Sequence, residues 1–489
     1  MTVLAMVRAL EEGTVSEAGE GTRRKTFALV LLCCASFVAV LDLTTVAIAL
    51  PSVRRELGFG GGDVQWILTG YALSFGGLLL FMGRAGDLYG RRRLFVGGLA
   101  LFAAASFLGG LAWAPWVLVL ARLLQGVGGA ALVPASLALV SVTFAEGEER
   151  NRALGVYGAM AGVGFVFGMV LGGVITEFLG WRWVLFVNVP VAIAVLALAP
   201  VVIHESKDEA APRTLDPVGA ATVTLGLASL IYAVSEAPKN GWASPGTLVM
   251  GGLGAVLLGA FVAHERRASA PLVRLSIIGR RAVAVPNAAI VLKSMVGAAQ
   301  LYVLTLYFQD ALGRTPLEAG LLFIPMTLAS VVASPVAGRL TSRLGARRTA
   351  ALGFAVSGAG LVLVAWLMPH KGALMAVLIG MAVAEAGFVT ASVPLTVAAT
   401  DGVGQDERGL ASGVLSTSTE LGNAIGWAAV AAVIAAAPAA SDSASLLGGL
   451  RWGLWSATAY AALALVLVVV CMRPGSRETK GSSSKATER

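Results

Sequence analysis

The chain has 489 residues, of which 57% are hydrophobic and only 13% charged, against about 25% charged in ordinary soluble domains. It is long enough for several soluble domains but lacks the polar residues to coat them, which excludes that class. Its net charge of +8 raises nucleic-acid binding as an option, and the distribution of that charge along the chain argues against it. Apolar runs of roughly 18 to 28 residues recur from end to end, and a bilayer-spanning helix needs about 20. The sequence therefore describes an all-α polytopic membrane protein.

Residues 1–25 contain four acids and end in Arg23, Arg24 and Lys25, which reads as a retained tail rather than a cleaved signal. Fourteen spans follow, at about 26–50, 64–82, 94–113, 115–142, 153–178, 183–203, 217–235, 246–263, 282–307, 317–337, 349–368, 372–399, 409–436 and 450–471. Alternate loops differ sharply in Lys and Arg: the side holding both termini carries 27 and the opposite side 7, with Arg122 and Lys293 inside spans. That bias predicts both termini in the cytoplasm of a plasma (inner) membrane protein. It also accounts for the basic balance without nucleic acid. The three cysteines offer no disulfide framework and no CxxC pattern, and His204, His264 and His370 fall in inter-span loops. No metal site and no cofactor are expected.

The chain repeats itself. "GRAGDLYGRRR" from Gly83 and "GRLTSRLGARR" from Gly338 align with an offset of 255, each following the second span of a six-span half. Spans 1–6 and 9–14 then form two six-helix bundles, and spans 7 and 8 are an inserted pair. The expected organisation is a tail (1–25), an N-terminal bundle (26–203), a linker with the inserted pair (204–281), a C-terminal bundle (282–471) and a second cytoplasmic tail (472–489). Spans 7 and 8 should lie outside the seam between the bundles.

With these motifs the sequence resembles the major facilitator superfamily, and within it the fourteen-helix drug:proton antiporters. The family loop motif Gly-x-Leu-Ala-Asp-x-x-Gly-Arg-Arg matches at Gly83, Asp87, Gly90, Arg91 and Arg92, with Ala85 and Gly86 where Leu and Ala are usual. "LDLTTVAIALP" in span 1, "RLLQGVGGA" in span 4 and "WRWVLFVNVP" opening span 6 are further family signatures, although Ala47 stands where Asn is usual. The resemblance implies a conformational latch at the first loop. Gly83 and Gly90 would allow the tight reversal, the arginines would hold the loop in the cytoplasm, and Asp87 would accept charge-assisted bonds. A topology signal alone would need neither the acid nor the glycines. The second copy has Ser342 at the Asp position, so its latch should be weaker or absent. In span 5, Gly155, Gly164, Gly168, Gly172 and Gly173 match the family's antiporter motif, with Met169 in place of its proline. Gly164, Gly168 and Gly172 should form a groove for close helix contact.

Charges inside spans are costly and functional by default. Asp42 lies eight residues before the expected end of span 1 and Arg122 seven after the start of span 4. At about 1.5 Å per residue both sit roughly 10–12 Å below the same surface. They can form a static ion pair or a pair that responds to substrate and protons; the resemblance implies proton transfer for Arg122. Lys293, Glu385 and Glu420 should all lie near the midplane, with Lys293 and Glu385 a charge-reversed counterpart of Asp42 and Arg122. Glu420 would then lack a partner, and a lone carboxyl in hydrocarbon favours its neutral form. Lys293 could equally neutralise one of the acids and nothing more.

These readings converge on a proton-coupled efflux antiporter for small hydrophobic or cationic compounds, working as a monomer by alternating access, with protons and lipid as its other partners. A proton symporter and a dedicated exporter of one metabolite are the alternatives of the same class. A membrane-embedded enzyme is disfavoured, since no HExxH, GxSxG, CxxC or Walker sequence is present. A pure receptor would not need the two-half repeat.

Overall fold

A backbone amide in hydrocarbon has no water to bond, so a spanning segment must satisfy its own amides. The apolar runs accordingly fold as helices. The computed structural model describes residues 17–60, 63–145, 147–207, 215–268, 271–272, 275–370, 372–401, 408–436 and 443–472, with no strand among them. Residues 1–16 and 473–489, most of the two expected tails, lie outside the described residues.

Fourteen helices are long and apolar enough to cross a membrane. They are α1 (Arg23–Leu57), α2 (Trp66–Tyr89), α3 (Arg91–Gly110), α4 (Pro115–Thr143), α5 (Glu148–Phe178), α6 (Arg182–Val202), α7 (Pro217–Ala237), α8 (Pro245–Glu265), α9 (Arg281–Ala311), α10 (Pro316–Leu344), α11 (Ala346–Leu367), α12 (Leu374–Ala399), α13 (Ala411–Ala436) and α14 (Leu446–Cys471). The expected ends shift in places. Span 1 was expected to stop at residue 50, yet α1 continues through Pro51 to Leu57. A proline in a membrane helix need not end it, because neighbours re-satisfy the freed carbonyl. His264, expected in a loop, sits in the last turn of α8, where its Nε2 lies 2.8 Å from Asp216 Oδ1.

The even number of crossings puts the start of α1 and the end of α14 on one face, called terminal below; the other is distal. The fold is two six-helix bundles plus the inserted α7 and α8. Near the distal face one apolar core runs through both bundles, from Ile48, Leu50 and Trp181 to Phe308, Phe323 and Trp427. Near the terminal face the cores are separate. One holds Leu32, Phe95, Leu139 and Ala199; the other holds Ile290, Phe354, Leu395 and Val468.

The repeat is visible in how each bundle ends. The last carbonyls of a helix have no partner in their own ladder. In the first bundle Arg24 donates to Val201 O and Val202 O, at 3.0 and 3.2 Å, and Arg92 to Pro200 O and Ile203 O, at 3.3 and 3.2 Å. In the second, Arg281 donates to Cys471 O and Val470 O, and Arg347 to Val469 O. Arginines on the first and third helices of each bundle thus cap the C-terminus of its sixth. Each also meets the negative end of that helix dipole.

The inserted α7 packs along α2 and α13, which also touch each other directly. Gly76 of α2 faces Glu420 of α13, where a Cβ would come within 2.8 Å of the glutamate Cβ. The next residue, Gly77, faces α7 instead, 2.5 Å from Thr224 Oγ1 by the same measure.

Without a hydrophobic force between helices in lipid, close packing of small residues must hold them. α11 and α12 show the closest approach to a neighbour's backbone: a Cβ on Gly387 would lie 2.2 Å from Ser357 N, and one on Gly353 2.4 Å from Ala391 N. Gly387→Leu should therefore lower the melting temperature of the detergent-purified protein markedly. Gly252→Leu on α8, where nothing lies within 4 Å, should melt like wild type. Equal melting of the two variants would contradict this packing.

Candidate functional site

The two charges of the first bundle meet. Arg122 and Asp42 form an ion pair with both side chains 0% exposed. Burial in hydrocarbon demands that the rest of each group be satisfied too. Arg122 Nε donates to Ile67 O at 3.0 Å, its Nη1 to Gln125 Oε1 at 2.8 Å, and its guanidinium lies 4.5 Å over the Tyr71 ring. Asp42 Oδ1 accepts from Asn188 Nδ2 at 2.7 Å and Gln125 Nε2 at 3.2 Å, and that amide also donates to Ser106 Oγ at 2.7 Å. One Arg122 nitrogen, Nη2, has no hydrogen-bond partner. Gln125 and Asn188 belong to the motifs quoted above, but their part in this network was not anticipated; nothing in the sequence marks which polar residue faces which charge.

The charges of the second bundle are arranged differently. Among the described residues, no carboxylate lies within 4.0 Å of the Lys293 ammonium. It sits instead 4.6 Å over the Phe388 ring of α12, a cation–π contact. Glu385 and Glu420 are the two acids whose charge is felt at Lys293. Glu385 is buried, at 7% exposure. Glu420 is half-buried, faces Gly76 across the seam and accepts from Asn423 Nδ2 at 3.5 Å. The expected charge-reversed counterpart of Asp42 and Arg122 is therefore not formed. The two sites also differ in depth. Measured from the capping arginines Arg24 and Arg281, Asp42 is 18 residues along α1 and Lys293 only 12 along α9. At about 1.5 Å per residue the second site lies roughly 9 Å nearer the terminal face.

The first loop is shorter than expected. α2 runs to Tyr89 and α3 begins at Arg91, leaving Gly90 alone, with φ 117°. Gly83 lies inside α2 and takes no part in the reversal. Gly345 makes the matching turn of the repeat, with φ 82°. Asp87 accepts from Arg91 at 2.7 Å. The rest of the motif docks on the segment after α6: Arg91 N donates to Ser206 O at 2.9 Å and Arg92 N to Glu205 Oε1 at 3.0 Å, with Arg93 3.8 Å from Glu205. A Cβ on Gly90 would collide with that glutamate at 2.6 Å. Glu205 and Ser206 were missed, although they stand in the polar stretch directly after the sixth span.

In α5, Gly164, Gly168 and Gly172 lie against Phe37, Thr44 and Thr45 of α1, the close contact expected of them. Gly155 has nothing within 4 Å. Gly173 turns to α10, where Pro316 O would be 2.6 Å from its Cβ, and Gly320 of α10 returns the contact on Met169 O at 2.6 Å. Met169 leaves α5 unbroken. Three hydrogen bonds join the bundles nearby: Arg54 to Asp310 at 2.9 Å, Gln309 Nε2 to Ile48 O at 2.7 Å, and Leu317 N to Glu177 at 3.0 Å. These distal contacts were not read from the sequence; Gln309 and Asp310 stand in the π-turn Tyr307–Ala311 that ends α9.

The sequence model of the Major Facilitator Superfamily matches residues 32–264 and 287–488, and the chain belongs to that family of membrane transporters. A cephamycin export protein from Amycolatopsis lactamdurans is 40% identical over 420 residues, covering 84% of this chain and 85% of the relative. A puromycin resistance protein from Streptomyces alboniger is 36% identical over 91% and 90% of the two chains, and a lincomycin resistance protein from Streptomyces lincolnensis 35% identical over 96% of each. Among solved structures, the nucleoside transporter NupG superposes with a TM-score of 0.64 over 91% of this chain and 100% of its own, at 12% identity, which bears on the fold alone.

The ion pair of the first bundle makes a sharp expectation. Removing one partner of a buried pair strands the other charge, at a cost on the order of 3–5 kcal/mol, whereas replacing both is often neutral. Asp42→Asn should therefore destabilise the protein strongly, and adding Arg122→Met should recover most of the loss. Thermal unfolding of the two single variants and the double variant in detergent checks this. Additive losses would mean that the two groups do not act as a pair.

Proposed function

We propose that this chain is a proton-coupled exporter of small amphipathic drugs or antibiotics, working by alternating access from a plasma membrane with both termini in the cytoplasm. The observation that carries the reading is the asymmetry of the apolar core. It is continuous across the bundles distally and split into two at the terminal face. That is the form expected of a conformer closed on one side of the membrane, with the ionisable Lys293, Glu385 and Glu420 lying between the two ends. The bias of Lys and Arg toward the terminal face supports calling that face cytoplasmic. The cephamycin export and the puromycin resistance named for two relatives support the direction of transport.

In this reading residues 26–203 and 282–471 are the two moving bodies, and 204–281 carries the inserted pair. Arg54, Asp310, Gln309 and Glu177 close the outer side. The latch of Asp87, Gly90, Arg91 and Arg92 holds the inner end of α3 to Glu205 in the conformer described. Asp42 and Arg122 form a neutral unit that lets α1 and α4 move together. Glu420 carries the proton. It lies on the seam, opposite Gly76 of the other bundle, so rocking changes its surroundings directly, and at midplane a charged carboxylate costs about 2.5–3.5 kcal/mol. Binding a cationic substrate beside it favours loss of the proton, and the opposite tilt favours its return.

Inverted membrane vesicles with a fluorescent cation and a pH probe test the reading. Wild type should accumulate the cation and dissipate the proton gradient; movement of both in the same direction would indicate symport instead. Purified Glu420→Gln should release no proton on drug addition, while Glu385→Gln retains release. The reverse result moves the proton to Glu385, and normal release from both removes it from this cluster.

A further inference from the structure

The first bundle neutralises its buried cation and the second does not. Arg122 is matched by Asp42 and surrounded by acceptors. Lys293 has three N–H donors, yet no carboxylate within 4.0 Å among the described residues, although two acids stand on the neighbouring helices. Its ammonium rests on an aromatic face. A lysine needed only to neutralise Glu385 or Glu420 would close on one of them, since a flexible four-carbon stem can swing its point charge to a carboxylate. Beside it, Ser294 is 2% exposed and its hydroxyl has no partner. Gln300, two turns along on the same stripe of α9 as Lys293 and Gly297, is 1% exposed with its carbonyl oxygen unpartnered. Ser294 packs on Gly422 of α13 and the Gln300 amide bonds to Met326 Sδ at 3.7 Å, so hydrogen-bonding capacity is left over along α9 beyond Lys293.

We propose that this group selects zwitterionic substrates. Lys293 takes the carboxylate of a compound that also carries an amine, Glu420 takes the ammonium, and the Phe388 ring packs against the body between them. The proposal rests on the export reading and narrows it, because a site that receives only cations has no use for an unpaired lysine. It also changes what the lysine does in transport. Arrival of the ammonium favours loss of the Glu420 proton to water, while the substrate carboxylate supplies Lys293 with the counter-charge that this glutamate then directs to the substrate. No covalent step is involved.

The test uses the full-length purified protein and two probes, cephalexin, which has one ammonium and one carboxylate, and its methyl ester, which keeps only the ammonium. Binding is measured by calorimetry, with tetraphenylphosphonium as a purely cationic reference. Wild type should bind the free acid at least about tenfold more tightly than the ester. Lys293→Met should abolish that preference by weakening the free acid about tenfold, while the ester and tetraphenylphosphonium bind no more weakly than to wild type. Lys293→Arg, which keeps the charge, should retain most of the preference, and guards against a Lys293→Met variant that misfolds. The proposal is overturned if wild type binds acid and ester alike, if Lys293→Met weakens all three ligands equally, or if wild type binds tetraphenylphosphonium but neither cephalosporin. Failure of wild type to bind any of the three, with no drug-dependent proton release, would instead remove the export reading on which the proposal stands.

Discussion

A charge placed in hydrocarbon must find a counter-charge, a set of dipoles or water, and that constraint organises this molecule more than any other. Apolar side chains cannot tell one helix from another in a lipid solvent, so the few ionisable groups and the small residues decide which helices meet. The Asp42–Arg122 pair draws together α1, α2, α4 and α6, because Ile67, Gln125 and Asn188 all bond to one charge or the other. Its position in the first bundle is therefore over-determined.

The second bundle answers the same constraint incompletely. Three ionisable side chains lie close together, and the cation rests on an aromatic ring rather than on an acid. A bundle with every charge matched has one preferred state; a bundle with an unmatched set can exchange partners with a visitor or a proton. The difference between the halves is thus one of chemistry laid on a shared architecture. The shared part is the arginines that cap α6 and α14 and the glycine turns at Gly90 and Gly345.

Much of this was legible in the sequence. The number of helices, the two-half repeat and the encounter of Asp42 with Arg122 followed from run lengths, an offset and matched depth. What failed did so for local reasons. The charge-reversed counterpart paired Lys293 with Glu385 on the strength of the repeat alone, and a repeat of helices does not fix which side chain the ammonium meets; it lies on the Phe388 ring instead. Gly83 looked like a hinge because it opens a motif, whereas the turn needs only one left-handed residue and Gly90 supplies it. Glu205, Gln309 and Asp310 were invisible as site residues, since each gains its meaning from a partner more than a hundred positions away.

The adjacent glycines of α2 bear on the two inserted helices. Consecutive residues on an α-helix point about 100° apart, so Gly76 and Gly77 open two separate faces of one rod, and α13 and α7 fill them. In the proposed rocking of the bundles, α2 would slide on both surfaces at once. α7 therefore behaves as a gasket laid along the groove where α2 meets α13. It covers that groove from the outside and leaves the largely exposed α8 as the surface turned to lipid.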